Sequence, residues 1–126
     1  PRTVERMVSL FDPAQKELQQ AQLGMNLIAV CSQRLAKRRD GKGRVPVVEI
    51  MMSTPLVRKY ILDGEFEKLK GTVGNREAGS QSFDQHLVEL FQKQIIDVAE
   101  AKRLASNVDA LNVALRGIGS RDTRLR

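Results

Sequence analysis

The sequence predicts a mostly α-helical fold that carries one antiparallel β-hairpin. Apolar residues recur at helical spacing through most of the 126 residues. Between two such stretches, Asp40-Gly41 separates two extended segments. Asp-Gly is a strong hairpin signal because Gly accepts the positive φ that the turn requires. With four Phe, one Tyr and no Trp, aliphatic side chains must fill the core.

The N-terminal region is predicted to begin with a helix over residues 4–11. One face of this helix carries four apolar residues at helical spacing: Val4, Met7, Val8 and Phe11. The chain enters this pattern directly after Pro1-Arg2-Thr3, without an initiating methionine. We therefore expect a segment of a longer protein, whose remaining part holds the chemistry that this segment lacks.

A second helix is predicted over residues 13–30. Asp12 can cap it, and Pro13 suits its first turn. One apolar residue per turn is expected to form its inner face: Leu18, Ala21, Met25 and Ile28. We expect Gly24 to be tolerated there at a cost of about 1 kcal/mol. Cys31 near the end of this helix is expected to be a small buried side chain.

The β-hairpin is predicted over residues 32–52. Pro46 cannot donate to a ladder, which places an edge at the second strand. Two strands alone are marginal in water, so we expect the pair to extend a larger sheet. Its turn region, residues 34–44, has a net charge of +5, from six cations against Asp40. We call these six cations the basic hairpin surface: Arg34, Lys37, Arg38, Arg39, Lys42 and Arg44.

The basic hairpin surface is the residue pattern that most favours a binding function. It could contact phosphate backbones or an acidic neighbouring subunit. No aromatic residue lies between Gln15 and Tyr60, so stacking on bases is not supported. A basic helical module that binds nucleic acid without sequence specificity therefore stays an alternative.

Five further helices are predicted in the rest of the chain. They span residues 55–63, 66–73, 83–94, 98–105 and 108–116. Ser82 and Gln85 have the spacing of a capping box at the start of the third. Gly117 and Gly119 are expected to end the last helix, which leaves a disordered basic tail over 120–126.

Catalytic, phosphate-binding and metal chemistry find no support in these residues. The pattern G-x-x-x-x-G-K-[ST] does not occur, and Gly41-Lys42-Gly43-Arg44 lacks its second glycine and its following helix. One cysteine and one histidine cannot build a zinc site, so we predict a surface or packing role for His86. No apolar run approaches the roughly 20 residues that cross a bilayer. The single cysteine fits a reducing cytoplasm.

Several short strings are informative through their order and spacing. In chain order they are Arg6-Met7-Val8-Ser9-Leu10-Phe11, Ser32-Gln33-Arg34-Leu35, Asp40-Gly41-Lys42-Gly43-Arg44, Val48-Glu49-Ile50, Thr54-Pro55 and Gly79-Ser80-Gln81-Ser82-Phe83-Asp84-Gln85. Together they resemble the C-terminal region of the type IV pilus retraction ATPases, the PilT/PilU family of the secretion ATPase superfamily. The last string is similar to that family's Gly-x-Gln-[ST]-[FM]-Asp-Gln signature. Ile61-Leu62-Asp63-Gly64-Glu65-Phe66 looks closer to the PilU-like branch.

The resemblance implies an α/β parent fold, with residues 1–119 forming the C-terminal part of a RecA-like P-loop ATPase domain. It implies a homo-hexamer that hydrolyses ATP with Mg²⁺, in the cytoplasm and peripheral to the inner membrane. The partners it implies are the inner-membrane platform of the pilus and a related retraction ATPase. This segment would bind no cofactor itself, and alone we expect it to be inactive. A pilus-assembly or type II secretion ATPase stays an alternative, although the cysteine-based metal site usual in those relatives is missing.

The resemblance also implies a role for the helix at 55–63. The retraction motif of the principal, PilT-like branch, Ala-Ile-Arg-Asn-Leu-Ile-Arg-Glu, falls on residues 56–63. Arg58 and Ile61 match it and Val57 and Asp63 are conservative. Lys59, Tyr60 and especially Leu62 depart from it. The resemblance therefore makes these four residues candidates for a retraction-motif-like helix. Our hypothesis is that Arg58 helps to relay motion between subunits.

Overall fold

A computed structural model describes residues 2–122, and of residues 118–122 it describes the backbone alone. The elements in chain order are α1 (Arg2–Ser9), α2 (Lys16–Asn26), β1 (Ala29–Lys37), β2 (Arg44–Met52), α3 (Pro55–Leu62), a 3₁₀ helix (Phe66–Gly71), α4 (Phe83–Gln92), α5 (Val98–Leu104) and α6 (Val108–Asp122). The chain divides into two compact units. Unit 1 comprises residues 1–32 and 49–81, and unit 2 comprises residues 33–48 and 82–126.

The two strands form an antiparallel hairpin, which confirms the predicted turn. Gly41 and Gly43 both have positive φ, 71° and 89°, as the turn requires. The Asp40 carboxylate accepts a hydrogen bond from the Lys42 N–H at 2.9 Å and fixes the tip. In each strand, the half farther from the turn belongs to unit 1 and the half nearer the turn belongs to unit 2.

Unit 1 is built around contacts between α2 and α3. Its apolar core consists of Val4, Met51, Val57, Ile61, Leu69 and Val73. Gly24 of α2 lies so close to α3 that a Cβ there would stand 3.4 Å from the Leu62 side chain. Beside this contact the Gln20 side-chain amide donates to the Ile61 carbonyl at 2.6 Å. Gly24 thus permits a close approach of two helices.

The predicted helix over 13–30 is wrong at both ends. It begins at Lys16, because Asp12 accepts from the Ala14 N–H at 2.9 Å and caps a turn instead of a helix. It ends at Asn26, after which Leu27 is extended and β1 begins at Ala29. The hairpin therefore starts earlier than residue 32. Pairing with β2 satisfies the backbone groups of this segment, and it overrides the apolar pattern.

The predicted inner face of this helix is also wrong. Leu18 and Met25 are 62% and 63% exposed, and Ile28 beyond the helix end is 78% exposed. The side that faces the core is instead the one that carries Gly24, because that side can approach α3. Cys31 is exposed on β1, and not buried as predicted, since alternate residues of a strand point to opposite faces.

Unit 2 packs α4, α5 and α6 with the half of the hairpin nearer its turn. Its core consists of Ala36, Val47, Phe83, Leu87, Leu90, Ile96, Ala101 and Leu111. The predicted capping box is confirmed: the Ser82 hydroxyl accepts from the Gln85 N–H, and the Gln85 side chain accepts from the Ser82 N–H. This reciprocal pair begins α4 at Phe83.

The last helix does not end at Gly117, as predicted, but continues to Asp122. Glycine costs a helix only about 1 kcal/mol, and no proline follows to stop it. Residues 120–122 of the predicted disordered tail are therefore helical, and residues 123–126 lie outside the described residues. No helix of the described part has the length and apolar character to cross a membrane.

Candidate functional site

Helix α3 carries the retraction-motif-like residues, and its start follows from local sequence. The Thr54 hydroxyl accepts from the Val57 N–H at 3.2 Å, and Pro55 occupies the first turn. The resulting helix is amphipathic. Val57 and Ile61 are fully buried in the unit 1 core, whereas Arg58 is exposed.

The two charged members of the retraction-motif-like set, Arg58 and Asp63, are exposed. The Arg58 guanidinium donates to the Ser53 hydroxyl at 3.3 Å and otherwise faces outward. Asp63 forms an ion pair with Lys59 one turn earlier, and its hydrogen bond raises the pKa of that lysine. The structure therefore separates the four predicted residues: Val57 and Ile61 anchor the helix, while Arg58 and Asp63 present charge.

The basic hairpin surface is smaller in the structure than in the sequence. Arg34 turns inward: its guanidinium lies 3.9 Å from the centre of the Phe83 ring and donates to the Leu104 carbonyl at 2.6 Å. Arg38 pairs with Asp40 at 2.8 Å, and its hydrogen bond holds the pKa of that carboxyl below its usual range. Both cations are thus occupied within the chain.

The remaining four cations of the surface are exposed: Lys37, Arg39, Lys42 and Arg44. Their backbone is held in place on one side. The Lys37 N–H donates to the Glu100 carboxylate at 2.7 Å, and the Arg39 N–H donates to the Ile95 carbonyl at 2.8 Å. The hairpin therefore presents a compact positive patch on a fixed backbone.

Glu100 is the acid of the described part whose pKa is shifted most, and its contact with the hairpin was not predicted from the sequence. This buried carboxylate accepts from the Lys37 N–H and from two nitrogens of Arg103 at 2.6 and 2.8 Å. The hydrogen bonds from Arg103 contribute most to lowering its pKa to about 2. The only local signal is its position in the first turn of α5, which is typical of a helix-capping acid. The bond to the hairpin could not be predicted in this way, because Lys37 lies 63 residues away.

The signature segment begins in unit 1, where its residues hold the end of β2. Gly79 has a φ of 78° and turns the chain. The buried Ser80 hydroxyl accepts from the Met52 N–H at 3.0 Å. Gln81 exchanges two backbone hydrogen bonds of 2.8 Å with Ile50. These three residues add a short antiparallel bridge to β2.

The segment continues in unit 2, where it organises the helices. Phe83 is buried beneath the Arg34 guanidinium. The Asp84 carboxylate accepts from the N–H groups of Ser106 and Asn107, at 2.7 and 2.9 Å. It thereby ties the start of α4 to the turn between α5 and α6. The described contacts of the signature segment are structural: they join strand, helix starts and turns. They do not form an arrangement of nucleophile, base and orienting group.

His86 has a structural contact. Its Nδ1 accepts from the Val48 N–H at 2.9 Å, which attaches α4 to β2 in accordance with the predicted packing role. Within the described residues, His, Cys, Asp and Glu side chains form no group of three that could hold a metal ion.

Three curated relatives match the chain by sequence. The "Twitching motility protein" of Neisseria gonorrhoeae is 34% identical over 112 residues, which is 88% of this chain. The type IV pilus ATPase PilU of Pseudomonas aeruginosa is 33% identical over 117 residues, or 91% of the chain. PilT of the same organism, a type IV pilus retraction ATPase, is 30% identical over 105 residues, or 82% of the chain. No family model matches the chain.

Two solved structures have a similar fold over most of this chain. The pilus retraction motor PilT, solved with ADP bound, aligns with 89% of this chain at a TM-score of 0.72 and 23% identity. The ATPase DotB of Legionella pneumophila aligns with 81% of it at a TM-score of 0.62 and 15% identity. The chain covers 31% and 28% of those two chains.

The matches agree with the resemblance seen in the sequence. The chain spans about 30% of the length of each curated relative. The identity is spread over most of this chain, and the fold agrees with that of a pilus retraction motor. By sequence and by fold, the chain is therefore a homologue of the type IV pilus retraction ATPases of the PilT/PilU family, matching on their C-terminal part.

Proposed function

We propose that this chain forms the C-terminal region of a hexameric ATPase that powers type IV pilus retraction. The observation that supports this best is the identity of 30–34% to three proteins of pilus motility, over 82–91% of the chain. Identity to PilU, at 33%, slightly exceeds identity to PilT, at 30%, which is compatible with a PilU-like role.

Under this proposal, ATP and Mg²⁺ are held outside these 126 residues. The chain contains no phosphate-gripping G-x-x-x-x-G-K-[ST] loop. It would contribute helices and a hairpin that contact neighbouring subunits in the cytoplasm. The platform of the pilus and a related retraction ATPase would be its partners.

Helix α3 is the element that we expect to couple subunits. Its inner side is fixed by the buried Val57 and Ile61, so movement of the unit 1 core moves the whole helix. Its outer side presents Arg58, whose bond to Ser53 at 3.3 Å is long and leaves the guanidinium available to a partner. Arg58 would therefore transmit rigid-body motion across an interface.

Exchange of Arg58 for Ala in the full-length protein tests this role. We expect twitching to be lost while ATP hydrolysis and hexamer assembly are retained, because the buried side of α3 is unchanged. Lys16→Ala, at an exposed cation of α2 outside the retraction-motif-like residues, is the matched control and should twitch normally. Normal twitching by Arg58→Ala would refute the relay.

The four exposed hairpin cations are proposed to face an acidic surface of the next subunit. The double exchange Lys42→Glu with Arg44→Glu should shift the hexamer towards smaller species in sedimentation experiments. Lys16→Glu with Lys93→Glu makes the same charge change elsewhere and should not. If instead the protein bound duplex DNA with an affinity that falls steeply with salt, the nucleic-acid alternative would replace this proposal.

A further inference from the structure

A groove lies in unit 2 between the end of α4, α5 and α6. Its volume is about 290 Å³. Six residues line it: Phe91, Val98, Lys102, Asn112, Leu115 and Arg116. We call it the three-helix groove. None of the surfaces assigned above includes any of these residues.

The lining of the three-helix groove combines an apolar floor with a cationic rim. Phe91 and Leu115 are half-buried, and Val98 is 43% exposed although it is apolar. Lys102 and Arg116 are exposed cations at the edge. No acid belongs to the lining, so the positive charge of the two side chains is not cancelled within the groove.

The walls of the groove are preformed. Val98 and Lys102 lie one turn apart on α5, and the three lining residues of α6 lie on one side of that helix, as their spacing of three and four requires. The turn between the helices is fixed by the Asp84 carboxylate, which accepts from two backbone N–H groups. A ligand would therefore meet a formed site and lose little free energy in ordering it.

We propose that the three-helix groove binds an acidic peptide segment of a partner protein. One apolar side chain of the peptide would pack on Phe91 and Leu115. Flanking carboxylates would lie beside Lys102 and Arg116, and the Asn112 amide can bond the peptide backbone. Charge complementarity argues for this occupant, because the lining combines an apolar floor with two cations and contains no acid. A volume of about 290 Å³ is at the lower limit for small-molecule pockets and suits an anchoring side chain.

Fluorescence anisotropy with the purified protein tests the proposal. The probe is a fluorescein-labelled peptide of sequence Glu-Asp-Leu-Phe-Asp-Glu, and its control has the two apolar residues replaced by serine. The double exchange Lys102→Glu with Arg116→Glu should weaken binding of the probe by about tenfold or more. Arg6→Glu with Lys16→Glu makes the same charge change at exposed cations of unit 1 that belong to no proposed surface, and it should weaken binding less than about twofold.

Three results would overturn the proposal. They are equal weakening by both charge reversals, equal binding of the serine peptide, and no measurable binding of either peptide. Binding to phosphatidylglycerol vesicles is measured as well. If the protein binds the vesicles and not the peptide, the groove binds anionic lipid and the peptide proposal is wrong. Val98→Asp serves as a second groove variant should the double exchange unfold, and it too must weaken peptide binding. This test is independent of pilus retraction, so either proposal can fail alone.

Discussion

Each of the two units is held together internally by a different kind of contact. Unit 1 depends on close apolar packing, in which Gly24 lets α2 approach α3 and Val57 and Ile61 fill the space beneath. Unit 2 adds charged side chains that bond to distant backbone groups, through Arg34, Asp84 and Glu100. The stability of unit 1 therefore depends mainly on how closely its apolar side chains fit together. In unit 2, hydrogen bonds to charged side chains add to the apolar packing.

The difference also extends to what each unit exposes. Unit 1 leaves large apolar side chains of α1 and α2 in contact with solvent, among them Met7, Leu18 and Met25. Unit 2 presents a formed groove with cations at its edge. A stretch that reads as strongly apolar in sequence is therefore not necessarily part of a core.

The largest effect is expected from cavities in either core. Ile61→Ala in unit 1 and Leu87→Ala in unit 2 should each lower the free energy of unfolding by about 3 kcal/mol, because both side chains are fully buried. Leu18→Ala, at a residue 62% exposed, is the control and should cost much less. Urea unfolding followed by circular dichroism measures all three. A Leu18→Ala cost equal to the other two would contradict the burial described for α2.

The second prediction tests the close packing of α2 against α3 in unit 1. Gly24→Leu should lower the free energy of unfolding by about 2 kcal/mol, because the added side chain meets Leu62 and Ile61. Gly24→Ala places a Cβ at 3.4 Å from Leu62, and its better helix propensity offsets this contact. Thermal unfolding should therefore separate Leu from Ala at this position. Equal stability of both variants would show that α2 and α3 are not in close contact.

The third prediction tests how much the charge of the Glu100 carboxylate stabilises unit 2, through the pH dependence of unfolding. The pKa of Glu100 is lowered to about 2, from an ordinary value of 4.5, so its stabilisation is complete above about pH 4.5 and is lost as pH falls towards 2. Glu100→Gln should cost about 1–2 kcal/mol near neutral pH, and this difference should shrink in acid. Glu77→Gln, at an exposed acid of unit 1, is the control. A difference that stays constant down to pH 2 would rule out the charge as its source.

The smallest effect is expected at the hairpin tip. Asp40→Asn removes the ion pair with Arg38 but keeps an oxygen that can accept from the Lys42 N–H. Both charged side chains are about 40% exposed, so water compensates for the lost pair. No measurable change in the urea midpoint is expected. A clear loss of stability would mean that ionic contacts matter at the surface of this chain as well as in its interior.

Local signals predicted part of the fold and of the candidate site. The Asp40-Gly41 turn, the start of a helix at residue 55 and the Ser82–Gln85 capping box all formed as expected, because each depends on residues a few positions apart. The end of α2 was missed, since pairing with a distant strand decided it. The inward turn of Arg34 was missed for the same reason, because its carbonyl partner is 70 residues away.

The sequence by itself determined the hairpin, most of the helices and the kinship with pilus retraction ATPases, because turns, caps and short strings are local properties. Only the tertiary structure decided which side of α2 faces the core, which cations stay exposed and where the three-helix groove lies. These depend on the approach of segments far apart in the chain. The free energy of burying a side chain depends on the residues that pack around it, many of which are distant in sequence. A local sequence pattern does not show which residues these are.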